Sequence, residues 1–107
     1  MRRRWLPEVL ERVHELASEG RVRFTMKALR ELAVLEIGLD EEDACHVLVS
    51  LASSDFVERL VSKKTGEWMY VFTTPVGGVV VYVKLILRSD CVVISFHEEE
   101  RPGDEDE

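Results

Sequence analysis

Beyond Ser53-Ser54 the spacing of apolar residues changes from one in every three or four positions to strict alternation. A chain that switches period in this way places helices first and strands after. Ahead of the switch, Trp5, Val9, Leu10, Val13, Leu16 and Ala17 fall on one helical stripe, and Gly20 stands where a glycine ends a helix. Arg21 to Phe24 form a short extended link. Thr25 suits the N-cap of a second helix carrying Ala28, Leu29, Leu32 and Ala33, which Gly38 closes. Asp40 caps a third, with Ala44, Cys45, Val47, Leu48 and Leu51 inward and Glu41 to Asp43 near its N-terminus. After the switch, Phe56 to Lys63 and Trp68 to Thr73 are predicted strands joined through Lys64-Thr65-Gly66, and Thr74 to Gly78 make the next turn. Two further alternating runs end near His97. The expected architecture is α+β, with three N-terminal helices packed on one face of a four-stranded antiparallel sheet. Residues 1–97 form one domain and 98–107 a tail, with no internal repeat.

The last two runs carry the residues with chemistry. In the first, Val79, Val81, Val83, Leu85 and Leu87 point one way, and Val80, Tyr82, Lys84, Ile86 and Arg88 the other. Strict alternation in the second puts Val92, Ile94 and Phe96 on its apolar side, with Cys91, Val93, Ser95 and His97 opposite. If Ser89-Asp90 turns the runs antiparallel, Tyr82, Lys84, Arg88, Ser95 and His97 share an open sheet face. A cation, a phenol and an imidazole would converge there, a set suited to phosphodiester cleavage. Trp68, Tyr70 and Phe72, at alternate positions, are expected to pack in a buried strand face, with Met69 beside them. His14 and His46 lack a second ligand at helical spacing and are expected to be ordinary surface histidines.

The net charge of -7 over 107 residues argues against a nucleic-acid binder until it is located along the chain. Residues 98–107 hold seven acids and one Arg, which leaves the body nearly neutral. Its bases cluster at Arg2 to Arg4, at Arg21, Arg23, Lys27 and Arg30, at Lys63 and Lys64, and at Lys84 and Arg88. A locally basic face is therefore compatible with the acidic total. The tail is expected to be a disordered solubilising segment or, alternatively, a polyanion mimic that screens the basic face. Cys45 and Cys91 lie 46 positions apart inside apolar segments, as free thiols in a reducing cytoplasm would, and no metal site or cofactor is expected. No apolar run approaches the roughly 18 residues of a membrane span. Met-Arg-Arg-Arg-Trp lacks the apolar stretch of a signal peptide, so a soluble cytoplasmic protein is expected.

The element order combines with GRVR at 20–23, Gly-Leu-Asp at 38–40, Ser-Asp-Phe at 54–56, Trp68, Val-Tyr-Val-Lys at 81–84 and Val-Ile-Ser-Phe at 93–96. Together they resemble the MqsR family over roughly residues 8–98. That resemblance implies a RelE-like fold and messenger-RNA endonuclease activity, as the toxin of a bacterial toxin–antitoxin operon. It implies an MqsA-like antitoxin with zinc-binding and helix-turn-helix domains, and a ribosome or SecB-like chaperone as further partners. Of the family's active-site positions, a Tyr is matched by Tyr82. A Lys is replaced by Glu58, a Gln by Met69 and a second Lys by His97, and the Glu and His pairing is similar to that of other RelE-like ribonucleases.

Metal-free RNA cleavage needs a base for the 2′-hydroxyl proton, an acid for the departing 5′-oxygen, and cations around the phosphorane. Glu58 is the candidate base and His97 the candidate acid. Tyr82 is a phosphate donor or alternative acid, and Lys84 is the catalytic cation. Arg88, Lys63, Lys64 and Arg59 are candidate RNA contacts. The bland alternative makes Glu58 half of a surface ion pair and Lys84, Arg88 and His97 ordinary strand residues. On that reading the chain is a catalytically degenerate RelE-like module that binds or regulates in complex with its antitoxin.

Overall fold

The computed structural model describes residues 3–99. Helix α1 (Leu6–Ser18) begins with Pro7 in its first turn, where a missing N–H costs nothing. It stops at Gly20, whose φ of 74° lets the Arg21 N–H turn back to the Leu16 carbonyl at 2.8 Å. Strand β1 (Val22–Phe24) follows, and then α2 (Met26–Ala33), with Thr25 Oγ1 accepting the Ala28 N–H at 3.1 Å. Helix α3 (Glu41–Val49) opens on a reciprocal cap: Asp40 accepts the Asp43 N–H at 2.8 Å and Asp43 accepts the Asp40 N–H at 3.0 Å. A single 3-10 turn at Ser53–Asp55 leads into β2 (Phe56–Val61), β3 (Trp68–Val76), β4 (Val79–Leu87) and β5 (Cys91–Glu98). The β3–β4 turn is tighter than expected. Strand β3 runs on through Val76, and Gly77 and Gly78, both at positive φ, make a two-residue hairpin.

The sheet has five strands, not the expected four, in the order β1-β5-β4-β3-β2. The additional strand is the segment expected to be a link: Val22 to Phe24 pair in parallel with Cys91 to Val93. Three residues show no period of their own, and this strand exists only because the edge of β5 is there to receive it. Beyond β1, α2 takes over that edge. The Thr25 N–H donates to the Val93 carbonyl at 3.0 Å, so the helix shields backbone that β1 is too short to pair. Ala28 and Leu32 of α2 join Val13, Leu16, Leu48, Phe72, Val83 and Phe96 in one core between the helices and the sheet. His14, on the inner flank of α1, donates from Nε2 to the Leu51 carbonyl at 2.7 Å and so ties α1 to the segment that follows α3, while His46 is exposed.

A bulge overturns the expected parity of β5. Lys84 pairs with Ser95 but Leu85 pairs with Val93, so Ile94 is an extra residue in the ladder. Cys91 and Val93, expected beside Ser95 and His97, instead join Phe96 in the core. Val92 and Ile94, expected on the apolar side with Phe96, turn to the open face, where they meet Ile86. Strict alternation cannot register one inserted residue when Val92, Val93 and Ile94 are all apolar. Glu98, placed at the start of the expected tail, is the last residue of β5 and pairs with Val81. Arg2 and tail residues 100–107 lie outside the described residues. No helix among the described residues is long and apolar enough to cross a membrane.

Candidate active site on the open sheet face

Register sorts the open face into rows, because residues directly opposite one another on paired strands share a face. One row is Thr73, Tyr82 and His97. The next is Glu58, Val71, Lys84 and Ser95, drawn from four strands. The Tyr82 and His97 rings are stacked, with centroids 4.9 Å apart and planes 15° from parallel. His97 Nδ1 lies 2.8 Å from the Glu98 carbonyl, and a carbonyl only accepts, so Nδ1 carries the hydrogen and proton exchange is left to Nε2. Burial, then the nearby carboxylates of Glu58 and Glu31, push the Tyr82 phenol above its ordinary value, so it is a protonated donor at neutral pH.

Two members of this site come from α2 and were not among the expected residues. Lys27 Nζ donates to Ser95 Oγ at 2.9 Å and to Glu31 Oε2 at 2.7 Å, and Glu31 Oε1 accepts the Phe96 N–H at 2.9 Å. That N–H is thus satisfied by a side chain of α2. Partial burial works to raise the Glu31 pKa. The Lys27 and Phe96 hydrogen bonds outweigh it, with help from the charges of Lys27 and His97, and hold the carboxyl below its ordinary value. Lys27 and Glu31 stand four apart on a helix, a signal legible as a surface ion pair but silent about the strand it would meet. Glu31→Ala is expected to cost about 1–3 kcal/mol in chemical denaturation, since it strands a part-buried N–H. Glu31→Gln, which keeps an acceptor, should recover most of that loss.

A family model described as "Motility quorum-sensing regulator, toxin of MqsA" matches residues 8–98. The mRNA interferase toxin MqsR of Escherichia coli (strain K12) is 32% identical over 90 residues, which cover 83% of this chain and 90% of that protein. The chain belongs to the MqsR toxin family. Glu58, Met69 and His97 lie on the same sheet face as Tyr82. Glu58 is exposed on the outer strand of that face.

The remaining candidates have other company. Arg88 forms a two-pronged pair with Glu67, Nε to Oε2 at 2.9 Å and Nη2 to Oε1 at 2.7 Å. Arg59 is sandwiched between Trp5 and Trp68, its guanidinium carbon 4.0 and 3.8 Å from the two ring centres. It ties the start of α1 to the β2–β3 hairpin on the helix side of the sheet, and Trp68 is more exposed than a buried strand face would have it. Lys63 and Lys64 are exposed at the hairpin tip. The hydrogen bonds from Arg88 and Thr65 lower the Glu67 carboxyl from 4.5 to about 2. A depressed carboxylate stabilises the fold above its unfolded pKa, and that contribution fades as pH falls from 4.5 towards 2. Glu67→Gln should therefore melt slightly below wild type at pH 7, and the gap should close across this acid window in a series of thermal melts. Among the described residues no group of three or more His, Cys, Asp or Glu is placed to hold a metal ion.

Proposed function

We propose that this chain is the toxin of a toxin–antitoxin pair and an endoribonuclease that cuts mRNA without a metal ion, halting translation and growth in the cytoplasm. The observation that carries this reading is the Tyr82–His97 stack on an open sheet face, flanked by Lys84 and Lys27. In the reaction, Glu58 takes the 2′-hydroxyl proton and the 2′-oxygen attacks phosphorus. The bond to the 5′-oxygen breaks, and His97 Nε2 delivers a proton to that leaving oxygen. The products are a 2′,3′-cyclic phosphate and a 5′-hydroxyl. Tyr82 donates to a non-bridging phosphate oxygen. Lys84, which has no ion-pair partner among the described residues, offsets the charge that grows on the phosphorane. Membership of a family described as the toxin of MqsA supports an MqsA-type antitoxin as the neutralising partner.

The test is incubation of the purified chain with mixed-sequence RNA in EDTA, alongside His97→Ala, with mapping of the 5′ ends. Defined cuts that persist in EDTA and fade in the variant are the expected result. If wild type leaves RNA whole both alone and with translating ribosomes, the ribonuclease reading fails and the degenerate binding module replaces it.

A further inference from the structure

Towards the β2–β3 hairpin, one row beyond Lys84 and Ser95, the polar constellation gives way to an apolar trough. Its floor is Ile86 and Val92, paired in register and almost wholly buried, with Met69 and Ile94 beside them. The trough encloses about 480 Å³. Ile94 reaches it only because of the bulge.

The polar groups around the trough are already engaged. Arg88 is held by Glu67, and Arg23 Nε donates to Asp90 Oδ2 at 3.2 Å. Ser62 Oγ accepts the Lys64 and Thr65 N–H groups, and Thr25 Oγ1 accepts that of Ala28. Lys63 and Lys64, on the rim, are exposed and have no ion-pair partner among the described residues.

We propose that this trough seats a nucleobase of the RNA next to the scissile phosphate, with Lys63 and Lys64 holding the adjoining backbone phosphates. The proposal rests on the ribonuclease reading and extends it from the cleavage chemistry to the binding of the substrate. Same-face residues along a strand are about 7 Å apart, so Ile86 lies about 7 Å from Lys84 and about 14 Å from Tyr82, the reach of one or two nucleotides. A base presents apolar faces and its phosphate a negative charge. An aliphatic floor beside two unneutralised ammonium groups meets both needs in the order in which a single strand presents them. A protein segment docked here would need partners for its backbone N–H and C=O groups, and the engaged lining offers few.

The experiment is fluorescence anisotropy of a labelled single-stranded RNA whose 2′-hydroxyls are replaced by fluorine, so that it cannot be cut, titrated with the full chain across a range of salt. Met69→Glu places a carboxylate in the trough and is expected to weaken binding at least tenfold. Lys63→Ala/Lys64→Ala lies wholly on the surface. It should weaken binding at low salt and make the dependence of log affinity on log salt shallower by about 0.7 per lysine. If both variants bind as wild type does while wild type cleaves natural RNA, the trough proposal is overturned and the ribonuclease reading stands. If wild type neither binds nor cleaves, the ribonuclease reading falls and the trough with it.

Discussion

Tyr82→Phe is expected to lower single-turnover RNA cleavage by about 10²- to 10³-fold, the range typical for loss of one hydrogen-bond donor to the charge that grows in the transition state. The substitution removes one oxygen and nothing else. The phenyl ring keeps the volume and the stacking partner of the phenol, at 4.9 Å from the His97 ring, and Tyr82 is only half-buried outside the core. Thermal stability should therefore stay within about 0.5 kcal/mol of wild type, as for surface substitutions generally. The effect belongs to the donor: burial and the carboxylates of Glu58 and Glu31 hold the proton on this oxygen above its ordinary pKa. Cleavage rates of the two proteins, measured with enzyme in excess and with melting curves as the control, decide the matter. A variant within a few-fold of wild type would remove Tyr82 from the chemistry.

Phe96→Ala is expected to cost about 3–5 kcal/mol, the usual range for emptying a buried aromatic site. That is a large share of the roughly 5–15 kcal/mol that holds a domain together. Phe96 is fully buried. It sits directly after the bulge on β5, between Ser95 and His97, and its N–H is held by Glu31. At about 4–8 °C per kcal/mol for a domain near this size, the melting temperature should fall by more than 10 °C. Phe96→Leu, which refills much of the volume, should recover a good part of it. A loss below about 1 kcal/mol would mean that Phe96 does not face the core. Cleavage by the Ala variant is expected to fall only in step with the unfolded fraction at temperatures where it remains folded.

These two residues also mark how far the site was legible. Tyr82 and Lys84 share a face in any continuous strand of alternating residues, and β4 is regular between them, so their placement followed from local period. Ser95 and His97 were assigned to the same face correctly, but Cys91 and Val93 were assigned there with them. Only the pairing with β4 reveals that Ile94 is inserted between the two halves of β5. Arg88 and Arg59 had the charge that RNA contacts require, yet Glu67 and the Trp5–Trp68 sandwich claim them. Conversely, Lys27 and Glu31, which the sequence did not single out as site residues, reach the site because α2 packs against β5.

What the sequence determined by itself is the set of features that depend on near neighbours: three capped helices, the change of period after Ser53-Ser54, the glycine turns and the inward residues of β4. Caps and periodicities are settled within about four positions, where the chain reports directly on itself. Tertiary structure decided the parallel docking of a three-residue strand, the phase of β5 across its bulge, and the arrival of Lys27 at Ser95, 68 positions away. Those outcomes depend on which edges and faces are left unpaired when the elements meet, and an unpaired backbone group is satisfied by whatever neighbour the packing supplies.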